Sequence, residues 1–323
     1  MASKKFNVVA AGRAYTDMVA HVNPEFLHQH RIPADGQREC TLEEISQIQA
    51  DLPEWQMLAG GPSSNTCAVI SALGGSAGFF GKVYRDLAGE FFLEDARQRN
   101  ILFCCYPYAN KAGMTGTCLV LLTEQQRSFA YNTGCSNNFS IDDFKEFDFS
   151  LADFFLLEAH LLTHPDAHFA IKKALYSAKH NVPIVINLHG ITIWNNHNDV
   201  VKLIAANADI IVGNSLEQHA FRNAASELKK LSGQLIITTK GEGGADAFQS
   251  DVAWHTAAKS ASKLVSTAGA GDAFIAGFLL ALSKGANVQD SLSAAVDAAT
   301  WILAETGARP SLTSDNRTLH VQN

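Results

Sequence analysis

With 323 residues, 47% hydrophobic and 18% charged, the chain has ample apolar material for a core and too few charges for a disordered protein. Its net charge of −7 argues against a duplex-DNA partner, and no apolar run approaches the roughly 20 residues of a membrane span. Six cysteines without a C-x-x-C pair point to reduced thiols in the cytoplasm rather than to a disulfide framework or a zinc site.

Phe6 to Gly12 reads as a buried strand ending in glycine, too short for a signal-peptide core. Asp17 follows in G-R-A-Y-T-D-M-V-A. Between His21 and Trp55 the pattern loosens around Pro24, Pro33 and Pro53, as expected of a surface excursion belonging to a small lid. Gly60-Gly61-Pro62-Ser63-Ser64-Asn65 opens a helix that runs through Leu73 and ends at Gly74-Gly75, with Ser63 or Ser64 placed to cap it. Ala77 to Val83 is a second apolar strand and Leu87 to Asn100 an amphipathic helix. Phe103 to Tyr108, Thr115 to Thr123 and Phe129 to Thr133 are β-type segments that complete a small sheet with the excursion. The lid is therefore expected to draw on residues 13–56 and 103–135.

From Ala152 the pattern alternates. Apolar strands at Phe154–Leu157, Ile184–Asn187, Ile210–Val212 and Leu235–Thr238 are separated by helices at Pro165–His180, Asp199–Asn207 and Leu216–Leu231. Near-continuous Ile/Val/Leu strands between amphipathic helices predict a parallel sheet covered on both faces. Two further helices, Ala270–Leu282 and Val288–Glu305, close a single α/β domain over 1–323. Ligands of such sheets sit at the carboxyl ends of strands, here marked by Gly12, Glu158, Asn187, Asn214 and Lys240-Gly241.

The chemistry concentrates at Val265 to Gly277, V-S-T-A-G-A-G-D-A-F-I-A-G. Gly269, Ala270 and Gly271 let the backbone turn tightly before a helix, whose first N–H groups make an anion site. Asp272 repels a phosphate there, so it makes sense as a base that takes a proton from an attacking hydroxyl. An ordinary Gly-rich turn with a first-turn aspartate reads the same way. A Walker A loop is absent, since Gly81-Lys82-Val83 lacks the upstream glycine and the hydroxyl. In Gly241-Glu242-Gly243-Gly244-Ala245-Asp246 an aspartate stands where a dinucleotide fingerprint needs a small residue. There is no G-x-S-x-G elbow, and the twelve histidines are expected to form no H-x-x-x-H metal pair on a helix.

Two motifs now combine. Gly60-Gly61-Pro62-Ser63-Ser64-Asn65-Thr66-Cys67-Ala68, leading to Leu73-Gly74, resembles the first signature of the ribokinase-like (PfkB) carbohydrate kinases. Thr267-Ala268-Gly269-Ala270-Gly271-Asp272-Ala273-Phe274, with Gly277, resembles their second. Asn214-Ser215-Leu216-Glu217 is similar to the family's N-x-x-E motif, Thr239 to Gly244 to its nucleotide-site turn, and Glu305-Thr306-Gly307-Ala308 to a segment near the adenine. The resemblance spans about Asn7 to Pro310.

The resemblance implies a three-layer α/β/α core with a mainly parallel central sheet and a small β lid. It also implies ATP-dependent phosphotransfer to the hydroxymethyl group of a sugar or nucleoside. Asp272 would be the base, and Gly269, Ala270 and Gly271 would offer N–H groups to the transferring phosphoryl. Asp17 would bind acceptor hydroxyls, with Gly60, Gly61 and Asn65 lining the same pocket. Arg127 would swing with the lid toward the phosphates, or else be a solvated hairpin arginine. Asn214, Thr239, Gly241, Gly244 and Gly307 would border the nucleotide. Asn214 and Glu217 would hold Mg²⁺ through water, or simply form a capping box at a helix start. Ser266 stands where the family usually has an aspartate that helps bind a monovalent cation, which puts K⁺ in doubt.

The G-R-A-Y-T-D segment, the long excursion and Arg127-Ser128-Phe129 followed by Asn132 and Asn137 look most like the adenosine-kinase branch. Tyr15, Phe129 and Tyr131 are then stacking partners for a base, although aromatics on β segments are commonly core. A sugar kinase and a non-catalytic nucleoside binder are the alternatives. The expected partners are the small acceptor and ATP, with no nucleic acid or membrane, in a monomer or homodimer.

Overall fold

The computed structural model describes residues 5–105, 113–124, 126–190, 197–226 and 233–312. β1 (Phe6–Ala11) leads into β2 (Tyr15–His21), α1 (Pro24–Gln29), β3 (Gln37–Glu39), α2 (Leu42–Ala50) and β4 (Trp55–Gly60). α3 (Pro62–Ala72), β5 (Ala77–Phe80), α4 (Leu87–Gln98) and β6 (Leu102–Phe103) follow, then β7 (Gly116–Leu122) and β8 (Arg127–Asn132). The second half runs β9 (Ala152–Glu158), α5 (His160–Thr163), α6 (Pro165–Ala178), β10 (Ile184–Asn187), α7 (Asn198–Asn207), β11 (Ile210–Asn214), α8 (Ser215–Ala224) and β12 (Leu235–Thr239). It ends with β13 (Ala245–Gln249), β14 (Val252–Thr256), α9 (Ala270–Ser283) and α10 (Val288–Ile302).

Among the described residues the large sheet has the order β14-β13-β12-β11-β10-β9-β1-β5-β6. Its strands are parallel except where β13 pairs antiparallel with β12 and β14. Strand side chains alternate between two cores, as a pleated strand buried on both faces requires. Val8, Ala10, Phe154 and Leu156 pack with α3, α4, α9 and α10. Val9, Ala11, Phe155 and Leu157 pack with α6, α7 and α8. The expected three-layer α/β/α core is therefore present. No helix among the described residues is long and apolar enough to cross a membrane.

Several sequence expectations need correction. The excursion is not irregular but carries α1 and α2. Asn23 caps α1 ahead of Pro24, and Thr41 with Glu44 forms a full capping box on α2. The antiparallel pair β13–β14 was not anticipated, nor were β2 and β4. Phe103 pairs with Phe79 in the large sheet rather than joining the lid, and Tyr106 to Tyr108 lie outside the described residues. α8 ends at Ala224, short of Leu231, with residues 227–232 outside the described set. Neither Ser63 nor Ser64 caps α3: both lie inside the helix, whose N-cap is Gly61.

The second sheet, order β3-β8-β7-β2-β4, is the lid. One face places Met18, Leu119, Leu121 and Ala130 against Leu27, Ile45 and Ile48 of the two lid helices. Register puts the opposite set on the other face. Asp17 stands level with Leu58 and Cys118, Cys118 with Tyr131, and Val120 with Phe129.

Strand order also locates a crevice. From β1 the chain moves to β5 and β6 on one side, while β9 leads to β10, β11 and β12 on the other. β1 and β9 are thus adjacent strands whose connections depart in opposite directions, and a crevice opens beyond their carboxyl ends.

Candidate active site

Gly12 and Arg13 follow β1, and Glu158 ends β9. Glu158 is fully buried, and its Oε1 accepts the Ser63 N–H at 2.8 Å while Oε2 accepts the Arg13 N–H at 3.3 Å. It thereby supplies the cap that α3 lacks in its own sequence, a carboxylate at the positive end of a helix. Burial alone would raise this carboxyl, but His160, whose Nε2 lies 3.1 Å from Oε2, and the Ser63 N–H outweigh it and bring it down to about 2. Burial pushes His160 down to about 4, and its Nε2, though close to the carboxylate, makes no hydrogen bond of good geometry among the described residues. The turn into α3 depends on Gly61, which has φ +97°, and a Cβ there would stand 2.0 Å from Arg13 O.

α3 then carries Asn65 to Asp272. Asn65 Nδ2 donates to Asp272 Oδ2 at 2.9 Å, and Thr66 Oγ1 donates to the Asp272 carbonyl at 3.2 Å. Asp272 lies in the first turn of α9, partly accessible. Burial raises its carboxyl to about 7, against the lowering effects of the Asn65 bond, His189 and Arg309; Glu158 adds to the rise. The N-cap of α9 is Gly269 in the left-handed region, φ +76°, packed so that a Cβ would meet Ala308 O at 2.5 Å. The N-cap residue offers no side-chain cap, the Ala270 N–H meets Thr267 O at 3.4 Å, and a Cβ on Gly271 would have no atom within 4 Å. The start of α9 therefore presents helical N–H groups to open space beside a carboxylate.

On the lid, Asp17 lies against Gly60, where a Cβ would come within 2.7 Å of its carboxylate. Burial raises Asp17 to about 6, opposed by Arg309 and Arg127. Arg127 opens β8 at the hairpin, opposite Leu122. Its guanidinium sits 4.9 Å from the Phe129 ring centre, and its Nε is buried without a hydrogen-bond partner among the described residues. Tyr15 shares the Asp17 face, and burial pushes its hydroxyl up to about 12.

A further group gathers at the ends of β11 and β12, where Asn214 stands level with Thr239. Asn214 Oδ1 accepts the Leu216 and Glu217 N–H groups at 2.9 and 3.0 Å, and Glu217 Oε2 accepts the Asn214 N–H at 2.8 Å. Glu217 Oε1 takes the Gly190 N–H at 3.0 Å. This is a complete capping box, and both carboxylate oxygens are engaged. The pair therefore offers no free direct ligand set for Mg²⁺, and no group of three His, Cys, Asp or Glu among the described residues is placed to hold a metal. Gly241 and Gly244 form the turn between β12 and β13, closed by a Lys240 N–H to Gly244 O bond of 2.8 Å, and Lys240 pairs with Asp246. Ser266 Oγ accepts the Ala268 N–H at 3.1 Å. A Cβ on Gly307 would stand 3.4 Å from Leu58, which places this residue on the lid side of the α9 start.

Two features escape sequence reading. Arg309 is 9% exposed, and its guanidinium bonds Asn65, Gly60, Ser64 and Asp95. The signal was present as a lone arginine among small residues in Gly307-Ala308-Arg309-Pro310. His160, His164 and His168 also fall at H-x-x-x-H spacing, a pattern suited to a metal, but the structure uses them separately. His160 serves Glu158, His164 caps α6 through Nδ1, and His168 Nδ1 meets Leu162 O at 2.5 Å.

Residues 38–315 match the profile of the pfkB family carbohydrate kinase. An adenosine kinase from Saccharomyces cerevisiae is 26% identical, covering 92% of this chain and 93% of its own. A ketohexokinase from Mus musculus is 24% identical over 74% of this chain and 81% of its own. The solved structure of an adenosine kinase from Sinorhizobium meliloti superposes with a TM-score of 0.84 at 24% identity, covering 97% and 98% of the two chains, which establishes likeness of fold.

Proposed function

The chain belongs to the PfkB family of carbohydrate kinases, and from that premise we propose that it moves the γ-phosphoryl group of ATP onto the hydroxymethyl group of a nucleoside, adenosine above all. The observation that carries the chemistry is Asp272, a carboxylate raised to about 7 and held at one oxygen by Asn65, beside the uncapped start of α9. A base works best with a pKa near the operating pH. The acceptor hydroxyl oxygen bonds to the γ-phosphorus as the bond from phosphorus to the β–γ bridging oxygen breaks. Its proton passes to Asp272 and then to solvent. N–H groups of Ala270 and Gly271 stabilise the charge that spreads over the transferring oxygens, and little covalent chemistry is asked of the protein.

Asp17 receives the acceptor's other hydroxyls, with Gly60 and Gly61 allowing close approach. Arg127, whose Nε lacks a partner within the described residues, brings its charge to the phosphates when the lid closes. Thr239, Gly241 and Gly244 line the nucleotide side, with Asn214 at their border and Gly307 toward the lid. Mg²⁺ would ride on the nucleotide phosphates and meet Glu217 through water, since the Asn214 and Gly190 N–H groups engage its two carboxylate oxygens. We place the protein in the cytoplasm, where its six free cysteines stay reduced.

For the acceptor, the relative at 26% identity over most of the chain favours adenosine, as do the aromatics on the Asp17 face of the lid. A sugar acceptor is the second reading, favoured by the ketohexokinase relative and by polar Arg13 and Asn137, joined at 2.8 Å next to Gly61. A non-catalytic binder has no use for a carboxylate beside the phosphate site. The test is nucleotide turnover with Mg²⁺ against adenosine, inosine, guanosine, ribose, fructose and fructose 6-phosphate. Turnover confined to adenosine supports the first reading. Turnover on a free sugar replaces the acceptor and keeps the base.

A further inference from the structure

Asn65 reaches Asp272 with Nδ2, and the same amide is gripped from behind by Arg309, whose Nε donates to Asn65 Oδ1 at 2.9 Å. A guanidinium only donates, so this bond decides which end of the amide is oxygen and leaves the NH₂ end facing the carboxylate. The rest of the guanidinium is equally committed. Nη2 donates to Gly60 O at 3.0 Å and to Ser64 Oγ at 2.7 Å, and Nη1 to Asp95 Oδ2 at 2.5 Å. The Phe92 ring centre lies 5.4 Å from it. Asp95 is in turn bonded by Arg99 Nε at 3.0 and 3.1 Å, and Arg99 Nη1 donates to Pro310 O at 3.0 Å. The orientation of Arg309 is therefore over-determined by partners on α4, α3 and the end of β4.

We propose that Arg309 is a positioning residue for phosphoryl transfer: it locks Asn65 as a donor to one oxygen of Asp272, reserving the other oxygen for the proton of the acceptor. This rests on the reading of Asp272 as the base. Without Arg309 the Asn65 amide is free to rotate and set its own oxygen against the carboxylate, which would hold Asp272 protonated. The same guanidinium fixes the Gly60 carbonyl beside Asp17, so one buried cation sets the spacing between the acceptor-binding carboxylate and the base.

The test is the pH dependence of kcat/KM for the acceptor in Arg309→Gln, Asn65→Ala and the double variant. Each single substitution is expected to move the acid limb upward by about one pH unit and to lower kcat/KM at pH 7 by about fivefold. The double is expected to be no worse than the poorer single, with KM for ATP within about twofold of the wild type. Arg309→Gln does not strand Asp95, which keeps Arg99. Should that variant not fold, Arg309→Lys retains a cation for Asp95, yet an ammonium lacks the planar fork that serves Asn65, Gly60 and Asp95 together, so the same shift is expected. An unmoved limb in the Arg309 variant or in Asn65→Ala overturns the inference, as do effects that multiply in the double. Near-wild-type turnover in Asp272→Asn is a different failure: it removes the base itself and the inference with it.

Discussion

Asp272 shows how one residue can serve chemistry at the expense of the fold. Its folded carboxyl titrates at about 7 against an ordinary 3.8, so its ionisation costs stability. The stability it contributes is present below pH 3.8 and is lost as pH rises through about 7. Asp272→Asn is expected to lose about 10²- to 10⁴-fold in turnover while its thermal midpoint holds or rises, because the amide oxygen still accepts from Asn65. Calorimetry beside a steady-state assay checks both; a lowered midpoint would contradict the account. In the wild type, turnover should fall tenfold per pH unit below about 7 as the base is protonated. Gly61→Ala meets both a positive φ and the Arg13 carbonyl at 2.0 Å. It is expected to cost more than about 2 kcal/mol in urea denaturation, because there is no flexible neighbour to give way.

Among elements, α3 depends on a partner far along the chain. Its start carries no side-chain cap of its own, and Glu158, 95 residues away, accepts the Ser63 N–H. Held below the ordinary carboxylate range by the Ser63 N–H and its other neighbours, Glu158 adds stability at neutral pH. The sign is opposite to that of Asp272: this stability is present above pH 4.5 and is lost as pH falls through about 2. Glu158→Gln should therefore destabilise by about 2–4 kcal/mol, with a difference from wild type that shrinks in acid. Denaturation at pH 7 and pH 3 would reveal it, and a pH-independent gap would refute the cap. The lid makes the corresponding case for packing. Ile45 is fully buried behind the sheet that carries Asp17 on its other face. Ile45→Ala is expected to cost about 2–4 kcal/mol and to raise KM for the acceptor more than KM for ATP, since the loosened element is the acceptor's.

At the scale of the whole molecule, Asp272 and Asp17, the proposed base and acceptor carboxylate, belong to different sheets' neighbourhoods and are linked through α3 and Arg309. Acceptor binding should then stabilise lid and core together. At about 100-fold excess over Kd the gain is about 2.7 kcal/mol, seen as a raised thermal midpoint. If adenosine is the acceptor, adenosine raises the midpoint and ribose at equal concentration does so less. Equal shifts would point to a sugar pocket that ignores the base.

Local pattern sufficed for much of this. Apolar runs between amphipathic segments specify a parallel sheet because buried strands and covering helices each have their own period. The two glycine-rich turns announced where backbone comes close to a ligand, since few residue types tolerate that geometry. The capping signals Asn23-Pro24 and Thr41-x-x-Glu44 were equally present, but the surrounding prolines obscured short helices that packing against the lid sustains. What no window of sequence contains is the pairing of distant partners. Glu158 on Ser63 and Arg309 on Asn65 are separated by tens to hundreds of residues, and only the folded sheet order brings them within reach. The electrostatics followed from that order too: the same residue type, a carboxylate, sits at about 2 in Glu158 and about 7 in Asp272. Composition determined the class of fold and the signatures its two glycine-rich turns; burial and the donors each carboxylate finds, which depend on tertiary contact, decided which of them stays charged and which is raised toward neutral pH.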